Sequence, residues 1–126
     1  MREGCRSGLV RREILNPLEW DALIASRDDT HFLQSWAWGE VKKATHWSPL
    51  RLAWFCGEHL AGAACLLFRP IRFGPISAAI SYIPRGPLLN WNDPDVCDAI
   101  LDDILLTARQ SRAVFLKMDA EIITAR

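Results

Sequence analysis

The sequence lacks several features by which common classes of protein are identified. Its 126 residues carry 15 basic and 15 acidic side chains, so no net charge attracts the chain to nucleic acid or to an anionic membrane. The longest uncharged apolar run, residues 60–68, is about half as long as the roughly 20 residues that a transmembrane helix needs. A stand-alone nucleic-acid-binding protein and a membrane-spanning protein are therefore both disfavoured.

Common catalytic and metal-binding patterns are missing as well. The four cysteines form no Cys-x-x-Cys pair, and three of them lie in apolar patterns where cysteine acts as a small hydrophobic residue. The three histidines share no i, i+4 spacing, so we expect no metal site. No serine lies in a Gly-x-Ser-x-Gly elbow, and covalent catalysis is not indicated. Glu3 and Glu13 interrupt the basic N-terminal region and no secretory apolar segment follows, which predicts a cytoplasmic protein.

The patterns that are present predict one folded domain. Hydrophobic residues make up 50% of the chain, enough for a single core. Apolar periodicity and turn residues predict an α/β (α+β) domain with the element order β-α-α-β-β-β-α-β. This order resembles the first two-thirds of a GNAT-type acyltransferase domain, with a mixed, mostly antiparallel sheet flanked by helices. The predicted strands are residues 9–15, 50–55, 60–68, 77–83 and 114–118, and the predicted helices start near Asn16, Ser35 and Asp93.

The turn at residues 84–87 is the most distinctive local feature. An apolar strand ends in Pro-Arg-Gly-Pro, where Pro84 and Pro87 fix φ and remove two donors, and Gly86 permits a tight bend. Arg85 is thereby held on a stiff turn at the carboxyl end of a strand, where ligands often bind in α/β folds. Arg85 either binds an anion or caps a carbonyl in its own turn.

Three motifs together carry a family resemblance. In order and spacing they resemble the N-terminal part of the FemA/FemB-type aminoacyltransferases, which build the interpeptide bridge of bacterial peptidoglycan. The resemblance covers residues 10–123. The motifs are Gln-Ser-Trp-Ala-Trp-Gly-Glu-Val-Lys at 34–42 with Trp47, Tyr-Ile-Pro-Arg-Gly-Pro at 82–87 with Asp93, and Val-Phe-Leu-Lys-Met-Asp-Ala-Glu at 114–121.

The resemblance implies a reaction and its partners. The enzyme would transfer an amino acid from aminoacyl-tRNA, with no other cofactor, to an amine of a muropeptide precursor that is nucleotide-linked or lipid-linked. The amine would attack the ester directly, aided by positioning. A peripheral association with the membrane stays open.

Lys42 is the first candidate for a site residue. The family carries a lysine at this point of its Trp-x-x-Val-Lys pattern, which contacts the diphosphate of the muropeptide. An ammonium group on a helix, beside Trp38 four residues earlier, suits phosphate. The alternative is that Lys42 and Lys43 form the solvated face of a helix whose stripe contains Trp38, Val41 and Thr45.

The other candidates are less specific. Tyr82 and Trp38 would pack against a sugar or peptide face, or else belong to the core. Asp119 and Glu121 suggest a carboxylate pair for acid–base chemistry. Because neither has an evident partner, no catalytic residue is assigned.

We expect residues 1–126 to be a single incomplete GNAT-like domain, the N-terminal part of a longer two-domain transferase, and to be inactive alone. Two other functions remain open. One is a GNAT-fold N-acyltransferase that uses acyl-CoA, although the turn at 84–92 offers few free N–H groups for a pyrophosphate. The other is a binding module with no chemistry of its own.

Overall fold

The computed structural model describes residues 8–25, 35–84, 87–89 and 93–118. The predicted element order is confirmed, with one short strand added after the fourth predicted strand. The elements are β1 (Leu9–Glu13), α1 (Pro17–Ala25), α2 (Trp36–Lys43), β2 (Ser48–Cys56), β3 (His59–Phe73), β4 (Ile76–Ile83), β5 (Leu88–Leu89), α3 (Pro94–Gln110) and β6 (Ala113–Met118).

The strands form a single mixed sheet in the order β1-β2-β3-β4-β6. Neighbouring strands are antiparallel except for β4 and β6, which are parallel and are connected through α3. The predicted fold class, a mostly antiparallel α/β sheet with flanking helices, is confirmed.

The short strand β5 was not predicted. It pairs antiparallel with β3 at Gly62 and Ala63. A Cβ at Gly62 would lie 2.7 Å from Leu89 Cδ2 and 2.9 Å from Ile100 Cδ1, so only glycine lets β5 and α3 approach here. The sequence gives little sign of this strand because its two leucines follow a proline-rich turn.

A separate core covers each face of the sheet. On one face, Ile100 and Ile104 of α3 pack with side chains of β2, β3 and β4, among them Leu52, Trp54, Leu66 and Ile83. On the other face, Trp20 and Ile24 of α1 pack with a second set that includes Ile14, Ala53, Cys65 and Leu67. Trp36, Trp47 and Tyr82 are partly buried at the margin of this second core.

The strand β3 continues well past its predicted end at residue 68. Its pairing with β2 ends at Phe68, opposite Ser48, whereas its pairing with β4 continues to Phe73. Pro70 is tolerated in this extension because β3 has a described neighbour on one side only, so a missing donor need not break the sheet.

The first helix matches the prediction and the second differs from it. Asn16 Oδ1 accepts a hydrogen bond from the Glu19 backbone N–H at 3.0 Å, which caps α1 as expected. In α2, however, Val41 is 55% exposed and Thr45 is exposed, so the predicted stripe does not face the core. Gly39 is the buried residue of this helix.

The cysteines do not all behave alike. Cys65 and Cys97 are buried in the two cores and are not in a disulfide, as expected for small hydrophobic residues. Cys56 is disulfide-bonded. The prediction that cysteines in apolar patterns act only as small hydrophobic residues is therefore wrong at this position.

Candidate functional site

Arg51 determines how α2 lies on the sheet. Its side chain is 5% exposed, and its Nη2 donates to the Trp36 carbonyl oxygen at 3.0 Å and to Glu40 Oε2 at 3.1 Å. A Cβ at Gly39 would overlap the Arg51 guanidinium and would lie 3.3 Å from the Pro49 Cβ. The glycine inside this helix therefore admits the arginine. Since Trp36 and Gly39 take the side that faces the sheet, the predicted stripe at Val41 is left in solvent.

Lys42 lies between two indole rings. Its Nζ is 5.7 Å from the ring centroid of Trp38 and 5.7 Å from that of Trp47, within the range of cation–π attraction. Ser35 Oγ accepts from the Trp38 N–H at 3.2 Å and so caps the start of α2. The Trp47 N–H donates to the Lys42 carbonyl oxygen at 3.2 Å, which turns the chain back beside the helix. We term Lys42, Trp38 and Trp47 the lysine–tryptophan cluster.

The two neighbouring lysines of α2 differ in their ion pairing. Lys43 Nζ lies 3.1 Å from Glu40 Oε1, and the other oxygen of Glu40 pairs with Arg51. The hydrogen bond from Lys43 is the main cause that holds the pKa of Glu40 below its usual value, with Arg51 adding to it. Within the part of the chain that the structure describes, no acidic side chain pairs with Lys42.

A groove of about 470 Å³ opens beside Trp47. His46, on its rim, has a φ of 72°, and its N–H donates to the Lys43 carbonyl oxygen at 3.2 Å. Because the C-terminal end of a helix repels anions, an anion here would depend on the lysine side chains for its attraction. The groove suits a ligand with a flat or apolar part next to a negative group. Its lining residues are Lys43, His46, Trp47, Ser48, Pro49 and Pro70.

Tyr82 lies on the same side of the sheet as Trp47, but it belongs to β4, whereas Trp47 directly precedes β2. Two strand spacings separate β4 from β2, which is about 10 Å. Lys117, its partner in the β4–β6 register, has its Nζ 5.6 Å from the Tyr82 ring centroid. Tyr82 thus adjoins a second cation that belongs to the third sequence motif. Arg85, Asp119 and Glu121 lie outside the described residues.

The sequence predicted Lys42 and Trp38 as site residues but assigned no role to Trp47, Lys117 or Arg51, and the structure places Trp38 and Trp47 beside Lys42. Trp47 and Lys117 stood in the quoted motifs, yet only the tertiary structure brings each next to its partner. Arg51 carried one available signal, which is a charged residue in the middle of an apolar strand pattern.

The described residues offer binding groups rather than an activated nucleophile. Burial raises the pKa of the Cys65 thiol to about 11, against a smaller opposing effect of Arg51, so this cysteine is uncharged at neutral pH. No cluster of three His, Cys, Asp or Glu side chains within the described ranges could hold a metal ion. In the same ranges, no helix is long and apolar enough to cross a bilayer.

Comparison with known proteins places this geometry in a family context. The model of the FemAB family matches residues 15–126. Curated proteins named lipid II:glycine glycyltransferase, from Staphylococcus aureus strains MRSA252 and NCTC 8325 / PS 47, are 30% identical to the chain over 104 residues. The matches cover 82% of this chain and 24% of each relative. The chain thus spans about a quarter of the length of these relatives.

Solved structures support the same fold. A crystal structure of FemX superposes with a TM-score of 0.77 at 26% identity, covering 90% of this chain and 27% of that one. A GNAT family acetyltransferase from Staphylococcus aureus gives a TM-score of 0.57 at 10% identity over 94% of both chains. A transcriptional regulator from Bacillus halodurans gives 0.61 at 11% identity over 90% of this chain and 82% of its own. The last two likenesses show the fold alone.

Proposed function

The chain belongs to the FemAB family, and from this premise we propose that it supplies part of the acceptor-binding domain of an aminoacyltransferase of peptidoglycan bridge synthesis. In this proposal an amino acid passes from aminoacyl-tRNA to an amine of a muropeptide precursor in the cytoplasm. The relatives named lipid II:glycine glycyltransferase support a lipid-linked acceptor over a nucleotide-linked one.

The observation that carries the proposal is the state of Lys42. It lies between Trp38 and Trp47, and no described acid neutralises it. An ammonium group held in this way is suited to a diphosphate, because its charge is not already paired and its rotamers are restricted. Lys43, one residue away, is paired with Glu40 and is the less suitable cation.

Each group then has a proposed task. Lys42 Nζ binds the diphosphate of the acceptor, and the Trp47 side of the groove takes the adjoining sugar or lipid portion. Tyr82, with Lys117 beside it, contacts a more distant part of the muropeptide, and Arg85 provides a second anion contact. The acceptor amine attacks the aminoacyl ester directly, so the protein accelerates the reaction by positioning and not through a covalent intermediate. Aminoacyl-tRNA is the acyl donor, and no further cofactor is proposed.

The test compares how substitutions at two neighbouring lysines change the dissociation constant of a muropeptide diphosphate. A charge-assisted contact contributes about 1.5–3 kcal/mol, so Lys42→Met should weaken binding roughly ten- to a hundredfold. Lys43→Met is the neighbouring comparison and should change the dissociation constant less, since Lys43 lines the groove but its charge is already paired with Glu40. Calorimetry gives the constants, and circular dichroism verifies that each variant is folded.

Lys42→Arg keeps the charge and should retain part of the affinity, which separates an electrostatic role from a loss of folding. Equal small losses for Lys42→Met and Lys43→Met would assign both lysines to a solvated helix face and contradict the proposal.

We further propose that these residues act within a longer two-domain transferase and carry no transfer activity by themselves. The 24% coverage of the relatives supports this. In an assay with charged tRNA and a muropeptide acceptor, measurable transfer by the 126-residue chain would contradict it.

A further inference from the structure

Part of β3 and β4 extends beyond the rest of the sheet as a two-stranded arm. The register of β3 with β2 ends at Phe68, and the register of β4 with β6 begins at Ala79. Between these points, β3 and β4 pair only with each other in the described part of the sheet, through a turn at Gly74 with a φ of 61°. We call residues 69–78 the β3–β4 arm. It projects roughly 15 Å, at about 3.3 Å per residue.

The charge of the arm differs from that of the whole chain. The zero net charge of the whole chain hides a difference between its regions. The sequence between Glu58 and Asp93 contains no Asp or Glu, but it contains Arg69, Arg72 and Arg85. Arg69 and Arg72 are both exposed, and no described acidic side chain pairs with either. The arm is therefore a local cationic surface that the overall composition conceals.

The arm also carries an exposed apolar side chain. Ile71 lies opposite Ala78 in the register, and Arg72 lies opposite Ser77, so these two pairs occupy opposite sides of the ribbon. Ile76 is on the same side as Ile71 and is 62% exposed. By the same alternation Arg69 also lies on the side of Ile71, so the arm has one exposed arginine on each side and an exposed isoleucine near its end. Exposed cations combined with an exposed aliphatic side chain make the arm amphipathic, like segments that lie in a membrane interface.

From these observations we propose that the β3–β4 arm docks on the surface of an anionic lipid bilayer. Arg69 and Arg72 contact lipid phosphates, and Ile76 enters the boundary between headgroups and acyl chains. An anionic bilayer matches both properties of the arm, because it attracts the cations and also gives an aliphatic side chain an apolar environment. A nucleic-acid backbone would match the arginines but would leave Ile76 in water.

The position of the arm connects this inference to the acceptor site. Pro70, within the arm, lines the groove that Trp47 and Lys43 also line. An arm on the bilayer would bring that groove to the membrane surface, where the diphosphate of a lipid-linked precursor lies. This part of the inference, the choice of a lipid-linked acceptor, depends on the proposed function. Binding of the arm to lipid does not.

The experiment measures partitioning of the 126-residue chain to vesicles by sedimentation. Vesicles of phosphatidylcholine with added phosphatidylglycerol should retain the protein, phosphatidylcholine alone should retain far less, and added salt should weaken retention. Each basic residue near an anionic surface contributes about fivefold, so Arg69→Gln with Arg72→Gln should lower the partition coefficient roughly thirtyfold. The matched control is Arg109→Gln with Arg112→Gln, two exposed arginines outside the arm, which should change it less than about twofold.

Other outcomes overturn the proposal. The arm is not a lipid-binding surface if the wild-type chain does not bind anionic vesicles, or if both double variants lose binding equally. A third result would assign the arm to nucleic acid. In that case the wild type would not bind vesicles, and the double variant at Arg69 and Arg72 would lose the retention on immobilised tRNA that the wild type shows. Ile76→Asp tests the contribution of the apolar side chain to vesicle binding. If this variant unfolds, the substitutions at the exposed arginines decide whether the arm binds lipid. Since Lys42→Met is tested with a soluble ligand and no vesicles, failure of one proposal is distinguishable from failure of the other.

Discussion

The guanidinium carbon of Arg51 lies 3.5 Å from the centroid of the Trp36 ring, between the sheet and the second helix. The same guanidinium occupies the space beside Gly39 and pairs with Glu40. Three positions of the first family motif are thus held by one arginine from a different strand. This contact fixes the orientation of α2 and, with it, the direction in which Lys42 projects.

The first prediction is that Gly39→Ala destabilises the domain. Alanine is favoured over glycine in a helix by about 1 kcal/mol, but overlap with a buried group costs about 1–3 kcal/mol, so a net loss of stability is expected. In the Arg51→Met background the overlap is relieved, and the same substitution should become neutral or stabilising. Urea unfolding of the four proteins measures both effects. Additive effects of the two substitutions would show that Gly39 and Arg51 are not coupled.

The second prediction concerns Glu40 and acid. Its pKa is lowered in the folded protein, so its contribution to stability is present above the unfolded value of 4.5 and is lost as the pH falls through the folded value. Glu40→Gln should therefore be less stable than the wild type at neutral pH, and the difference should shrink in acid. The contribution is small because Glu40 is 40% exposed and solvent screens it. A difference that does not change with pH would show that ionisation of Glu40 contributes nothing.

The third prediction concerns Cys65 and alkali. Burial raises its pKa to about 11 from the ordinary value of 9.0, so the unfolded chain loses the thiol proton before the folded protein does. Stability is fully present below pH 9 and falls as the pH rises towards 11, by roughly 2–3 kcal/mol, since one pKa unit corresponds to about 1.4 kcal/mol. Cys65→Ala removes this group. The wild type and the variant should converge in that interval, and parallel stability curves would contradict the prediction.

The predictable part of this fold is local. The start of α1 near Asn16 was found from the sequence, because a cap signal acts within one helical turn. The side of α2 that faces the sheet was not predicted, since the group that occupies it is Arg51, which a periodicity argument cannot bring from another strand. The strand β5 was missed for a similar reason, since it is defined by pairing with Gly62 and Ala63, which lie far away in the sequence.

In the candidate site, too, the local contacts could be predicted from the sequence and the contacts between distant residues could not. Trp38 was predicted beside Lys42 because residues four apart on a helix are neighbours. Trp47 reaches the other side of Lys42 only after the chain reverses at His46, whose left-handed φ of 72° is uncommon for a residue other than glycine. The pairing of Tyr82 with Lys117 depends on the β4–β6 register, which is a tertiary property.

The fourth prediction compares two buried hydroxyls. Ser81 Oγ is buried without a described hydrogen-bond partner, so Ser81→Ala should be neutral or stabilise the protein by up to about 1 kcal/mol. Thr107 Oγ1 accepts from Arg11 at 2.8 Å and donates to the Asp103 carbonyl oxygen at 2.8 Å. Thr107→Val should therefore cost about 1–2 kcal/mol. If the alanine variant at 81 were the less stable of the two, the hydroxyl of Ser81 would have a partner after all.

The last prediction tests whether the tryptophans act through Lys42. Cation–π attraction contributes about 0.5–2 kcal/mol, and freeing a held lysine side chain costs up to about 2 kcal/mol of entropy on binding. Trp38→Leu and Trp47→Leu should therefore each weaken binding of a muropeptide diphosphate severalfold. In the Lys42→Met background, Trp38→Leu should have little further effect, because the charge that this ring holds is gone, whereas Trp47→Leu should keep the part of its effect that comes from the groove. Calorimetric titration of the single and double variants, with circular dichroism to verify folding, completes this cycle. If Trp38→Leu weakens binding equally with and without Lys42, this indole does not act through the lysine, and the lysine is positioned by the helix alone.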